Sequence, residues 1–141
     1  MGYRYADTKG VKPLFAFGHG LSYTTFAYGK LQADKPVTID GNMTFQLTVK
    51  NTGKRAGAEV VQLYIRDVQS SLPRPYKELK AFQKVFLQPN ESKTVTFTID
   101  KAALSFFDSA KHQWVAESGI FEAIVGSSSA DLRGRVTFDL K

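Results

Sequence analysis

Met43-Thr44-Phe45-Gln46-Leu47-Thr48-Val49-Lys50 is the stretch on which the reading of the fold turns. Apolar and polar residues alternate through it without an error. Met43, Phe45, Leu47 and Val49 leave one side, and Thr44, Gln46, Thr48 and Lys50 leave the other. A period of two belongs to an extended strand with one buried face, because successive side chains leave opposite sides of the pleat. Asn51-Thr52-Gly53-Lys54 then reads as a turn, with glycine supplying positive φ.

The same grammar continues toward the C-terminus. Ala58 to Asp67 puts Glu59, Val61, Leu63 and Ile65 on one face and Val60, Gln62, Tyr64 and Arg66 on the other. Both faces are apolar in the middle, which predicts a central strand. The prolines of Gln69 to Pro75 forbid a central strand and predict a loop. Leu79 to Leu87 is extended, and Gln88-Pro89-Asn90-Glu91 turns the chain. Lys93 to Asp100 alternates again, with Val95, Phe97 and Ile99 inward and β-branched threonines outward. Asp100 is placed to cap one helical turn over Lys101–Leu104. Phe106-Phe107 and His112 to Glu117 predict a hairpin about Asp108 to Lys111, and Ile120 to Gly126 and Arg135 to Leu140 are further strands. Seven to eight short strands with almost no helix predict an all-β, antiparallel sandwich of immunoglobulin-like architecture.

Upstream lies an aromatic, glycine-punctuated entry, Leu14-Phe15-Ala16-Phe17-Gly18-His19-Gly20-Leu21-Ser22-Tyr23-Thr24-Thr25-Phe26. Each large aromatic can bury about 150–250 Å². Such a run is predicted to be a structured connector pressed against a surface, and the strands do not obviously supply all of that surface.

The 141 residues suit one domain with a short extension, large enough for a core without staples. The absence of cysteine excludes disulfide scaffolds, thiolate metal sites and thiol nucleophiles. No apolar run approaches the roughly 20 residues that span a bilayer, so no membrane partner is expected. Met1 to Tyr5 lacks the apolar core of a signal peptide. The chain is therefore expected to be cytoplasmic or to be a piece whose targeting signal lies elsewhere. The net charge of +6 is spread along the chain. Its densest stretch, Arg74, Lys77, Lys80 and Lys84, is interrupted by Glu78, and a solvated surface is expected there rather than a nucleic-acid site.

No catalytic constellation emerges. The 13 carboxylates give no spacing that marks a converging pair. His19 and His112 lie far apart without ligand spacing, so no metal site is expected. No Gly-x-Ser-x-Gly elbow exists, and Gly18-His19-Gly20 precedes a strand rather than opening a helix, so it is no dinucleotide fingerprint. Catalytic residues, metal and cofactor are all expected to be absent. Trp114 is expected inside the sandwich or at a sheet edge, with an exposed sugar platform as its alternative. Tyr76, in the proline loop, is a candidate contact.

In combination these motifs resemble the C-terminal fibronectin type III-like domain of family 3 glycoside hydrolases. The resemblance rests on Pro13 to Phe26, on Asn51-Thr52-Gly53 with Gly57-Ala58-Glu59-Val60-Val61-Gln62-Leu63-Tyr64, and on Arg74-Pro75 with Lys77-Glu78-Leu79-Lys80-Ala81-Phe82. It continues through Pro89-Asn90-Glu91-Ser92 to Phe97, Leu104-Ser105-Phe106, Trp114 and Gly119-Ile120-Phe121, with departures at Ala16, His19 and Ala81. It implies a fibronectin type III-like sandwich over residues 26–141, with residues 1–25 a connector from a preceding α/β domain. The parent it implies is a β-glucosidase or β-xylosidase whose catalytic carboxylates sit in a (β/α)₈ barrel and that α/β domain. This chain then reads as a non-catalytic accessory domain partnered by both, in a periplasmic or extracellular setting, with the cytoplasm left open. Phe15, Phe17, His19, Leu21, Tyr23, Arg74 and Tyr76 are its candidate interdomain contacts. The alternative is a binding module for polysaccharide or lignin, with Tyr28, Tyr76 and Trp114 as candidates.

Overall fold

The alternation of Met43 to Lys50 becomes a strand whose odd-numbered side chains are buried from Met43 to Asn51. It is the third of ten among the described residues, which in this computed structural model are 2–33 and 41–141. The strands are β1 (Phe26–Tyr28), β2 (Gln32–Ala33), β3 (Met43–Asn51), β4 (Gly57–Asp67) and β5 (Glu78–Leu87). They continue as β6 (Ser92–Ile99), β7 (Phe106–Asp108), β8 (Gln113–Val115), β9 (Gly119–Gly126) and β10 (Leu132–Leu140). Two short helices accompany them, α1 (Tyr3–Lys9) and α2 (Lys101–Leu104). Asp100 caps α2 as expected, accepting from the Ala103 N–H at 3.0 Å.

Eight strands form an antiparallel sandwich. In one sheet β3 pairs with β6 from Met43↔Ile99 to Lys50↔Ser92, and with β1 and β2 in succession. The other sheet runs β10-β9-β4-β5. Between them Phe138 tilts against Phe45 at 5.4 Å and stacks on Phe121 at 5.6 Å. Val61, Leu63, Val95 and Phe97 join this core, and Val136 packs on its margin. Strands β7 and β8 form a separate hairpin.

The structure adds β1 and β2, strands of three and two residues, too short to show a period. It also adds α1. It corrects the charge reading: Lys77 is only 2% exposed, and Arg74 and Lys80 are largely covered. Only Lys84 of that group is a solvated surface cation.

Strand β4 is central, and it is covered on both sides. Val61, Leu63 and Ile65 enter the sandwich core, while Gln62 and Tyr64, pointing the other way, are buried too. What covers that outer face is the N-terminal segment.

Candidate functional site

Helix α1 has seven residues, no side-chain cap at its start and a left-handed Gly10 at its end. A helix this short is marginal in water, so tertiary contacts must hold it. The Tyr3 hydroxyl accepts from the Leu79 N–H at 2.7 Å, and its ring stacks on Phe17 at 4.7 Å and meets Tyr64 edge-on at 5.9 Å. Arg4 pairs with Glu78 at 3.1 Å, Asp7 with Lys77 at 2.5 Å, and the Thr8 hydroxyl accepts from the Tyr76 N–H at 3.1 Å. All of these backbone and charge partners lie between Tyr76 and Leu79, at the start of β5. Lys77 stands over the Tyr64 and Tyr76 rings at 5.4 and 5.6 Å, so its charge is held by Asp7 and by π-faces rather than water.

Glu78 anchors a wider ionic cluster. Arg74 reaches it at 2.8 Å and Asp67 at 3.1 Å, and Lys80 stands 3.6 Å away. Burial alone would raise the Glu78 carboxyl. The Arg74 hydrogen bond and the Lys80, Arg4 and Arg74 charges outweigh it and hold the carboxyl below its ordinary 4.5.

The connector is pinned by its backbone. The Phe17 carbonyl accepts from the Ser129 N–H at 2.8 Å, and the Gly18 carbonyl from Gln62 Nε2 at 3.3 Å. Gly18 has φ +76, and a Cβ there would run into the Gln62 amide, so glycine is required twice over. Farther on, the Thr24 hydroxyl donates to Asn51 Oδ1 at 2.6 Å and the Thr52 N–H to the Thr25 carbonyl at 2.8 Å.

With the backbone fixed, the side chains point away. Leu14, Leu21 and Tyr23 are 91%, 94% and 91% exposed, and Phe15 is exposed with the His19 ring stacked 5.9 Å away. Phe17 is only half-covered, by Tyr3. Between residues 18–22 and the outer face of β4 and β5 lies a groove of about 600 Å³, lined by Leu21, Glu59, Val60, Lys84 and Arg133 among others. Burial raises the Glu59 carboxyl, with Arg133 working against it.

The candidate contacts therefore divide. Phe15, His19, Leu21 and Tyr23 form an outward strip with Phe17 at its base. Arg74 is turned inward, a brace of the proline loop rather than a surface contact, because Asp67, Glu78 and the Leu104 carbonyl occupy its guanidinium. Tyr76 lies under Arg66 at 4.4 Å with Lys77 nearby. Tyr28 is half-buried beneath the Arg133 guanidinium at 4.9 Å, which leaves it no free platform. Trp114 sits in β8 with its indole 71% exposed, so the sheet edge is right and burial is not; its ring neighbour is Phe107, at 68°. The structure brings no two of Tyr28, Tyr76 and Trp114 into ring contact.

Sequence reasoning missed three groups. Asn51, a turn residue by its sequence context, is a buried hub of four hydrogen bonds. Asp7 and Lys77 form a latch that no local pattern announces. Phe82 and Phe86 face outward from β5, and their phase opposite to Val85 and Leu87 was a signal available in Leu79 to Leu87. Among the described residues no cluster of histidine or carboxylate side chains could hold a metal ion, and no helix is long and apolar enough to cross a membrane.

The fibronectin type III-like domain family matches residues 59–129, half of the chain. The chain is 53% identical over 133 residues to the thermostable β-glucosidase B of Acetivibrio thermocellus, covering 94% of this chain and 18% of that protein. It is 54% identical over 140 residues to a β-glucosidase of Bacteroides ovatus, covering 99% of this chain and 19% of that one. The crystal structure of a Bifidobacterium adolescentis β-glucosidase superposes with a TM-score of 0.94 at 36% identity, over 99% of this chain and 20% of the other. The chain thus spans about a fifth of the length of each of these relatives. It belongs to the fibronectin type III-like domain family, in the form carried C-terminally by the β-glucosidases of glycoside hydrolase family 3.

Proposed function

We propose that this chain is a non-catalytic accessory domain that packs on, and stabilises, the α/β and (β/α)₈ domains of a family 3 β-glycosidase. Residues 1–25 form the connector and residues 26–141 the sandwich. One observation carries the reading: the connector's backbone is hydrogen-bonded to the sandwich while Leu14, Phe15, Leu21 and Tyr23 are left in solvent. Ordering a segment costs about 1–2 kcal/mol per residue, and an ordered strip of bare apolar side chains is the mark of a surface awaiting a partner. The parent is a β-glucosidase or β-xylosidase in a periplasmic or extracellular setting, and the reaction belongs to its other domains.

The test is a chimera in which this chain replaces the matching segment of the Bacteroides ovatus relative. Leu21→Ser with Tyr23→Ser is expected to lower the melting temperature of the chimera and to leave that of the isolated chain unchanged. An unchanged chimera overturns the reading. Adhesion to polysaccharide or lignin is the second reading, and the exposed Trp114 is the observation that favours it. Protein that stays wholly in the supernatant over insoluble cellulose, xylan and lignin overturns it.

A further inference from the structure

The outer face of the β4–β5 sheet is apolar well beyond the part that α1 and the connector cover. Tyr64 and Ile124, paired across β4 and β9, lie on this face and are fully buried, Tyr64 with the Tyr3 ring of α1 edge-on against it. Between β4 and β5 the register places Gln62 opposite Phe82, Val60 opposite Lys84 and Ala58 opposite Phe86. Gln62 is itself buried against Gly18 of the connector, but Val60, Phe82, Lys84 and Phe86 continue the face in the other direction and are exposed. Phe82 is 68% and Phe86 55% exposed. Val60 and Lys84 share a groove with Leu21 of the connector, so the bare half of the sheet is continuous with the connector's strip.

Lys84 stands between the two phenylalanines, two residues from each, and makes no ion pair among the described residues. Its neighbours Arg74, Lys77 and Lys80 are each matched to a carboxylate. A lysine covered by a docking surface loses its water, so the covering surface must return a carboxylate. Strand β5 is also the edge of its sheet, yet the Phe86 carbonyl is taken by Lys93 Nζ at 2.9 Å, which blunts pairing along the edge. Face-on docking remains.

We propose that Val60, Phe82 and Phe86, centred on Lys84, form a second docking surface that seats against the preceding α/β domain of the parent, and that this domain presents an apolar patch with a carboxylate opposite Lys84. The inference rests on the docking reading above and extends it from the connector to the sheet.

The experiment uses the same chimera and the isolated 141-residue chain. Phe82→Ser with Phe86→Ser is expected to shorten the chimera's heat-inactivation half-life about five- to thirtyfold while the isolated chain melts as before. Lys84→Glu is expected to shorten it more than Lys84→Gln. Equal effects of the two lysine variants overturn the carboxylate, and silent phenylalanine variants overturn the surface. If Leu21→Ser with Tyr23→Ser still acts in that case, the connector reading stands and only this one fails. If both pairs are silent, both fail. A dimer of the isolated chain that Phe82→Ser with Phe86→Ser dissolves assigns the face to a second copy and overturns the proposal.

Discussion

Asn51 makes four hydrogen bonds from a side chain with no exposure: it accepts from the Thr24 hydroxyl and the Gly53 N–H and donates to the Arg55 and Leu87 carbonyls. One amide thereby ties the end of the connector to β3 and β5. Leaving a buried partner unbonded costs about 1–3 kcal/mol, so Asn51→Ala is expected to destabilise the isolated chain by about 3 kcal/mol in chemical denaturation. Aspartate is no rescue, because a carboxylate would face two carbonyls. Phe97 and Phe17 make a contrasting pair. Phe97 is in the sandwich core, and its truncation to alanine is expected to cost about 3–5 kcal/mol. Phe17 is 46% exposed and has Tyr3 as its ring partner, so Phe17→Ala should cost about 1–2 kcal/mol in the isolated chain. Equal losses would place Phe17 in the core. Glu78 sets a pH dependence. Its carboxyl is depressed in the folded state, so its stabilising contribution is complete above the ordinary 4.5 and is lost as pH falls through the lower folded value. Glu78→Gln is expected to flatten the acid side of the stability profile, which urea titrations across that range would read.

Helix α1 depends on β5 for its existence, since its own length and uncapped start give it little stability. Asp7→Asn is expected to abolish amide-exchange protection in residues 3–9 while β3, β4 and β6 stay protected. Loss of protection throughout the sandwich would mean that the helix is integral to the core. The long strands of this domain were legible beforehand, because β3 and β6 each bury one face and therefore alternate. Strand β4 was legible as central, since apolar residues recur on both its faces. What covers its outer face was not: the pairing of Asp7 with Lys77 joins residues 70 positions apart, and neither residue differs in type from a solvated charge. The same limit hid the fate of Arg74, whose counterions come from Asp67 and Glu78 on either side of a loop. The connector's outward strip was legible for a simple reason. Phe15, Phe17 and Tyr23 are crowded into a glycine-punctuated run outside the alternating strands, and no alternation marks out an inward position for them.

Taken whole, the molecule is a sandwich with one sheet face half-covered by its own N-terminal segment, and it is expected to melt in a single cooperative transition with no disulfide to assist it. Burying a large apolar side chain is worth about 1.5–3 kcal/mol, and the shared core of the two sheets extends from Phe26 to Leu140. A transition split between residues 3–25 and the rest would show that the covering segment folds separately. Trp114, the only tryptophan in the chain, stands on the β7–β8 hairpin with its indole largely in water, outside the core cluster. The protein therefore carries an intrinsic fluorophore blind to its own unfolding. Tryptophan emission should already be red-shifted in the native state and should change little on denaturation, so circular dichroism is needed to follow the melt. In an assembled parent, the difference between the emission of the protein and that of its Trp114→Phe variant isolates this indole: a blue-shifted difference would show that the hairpin has met a partner surface, and a red-shifted one that it still faces solvent.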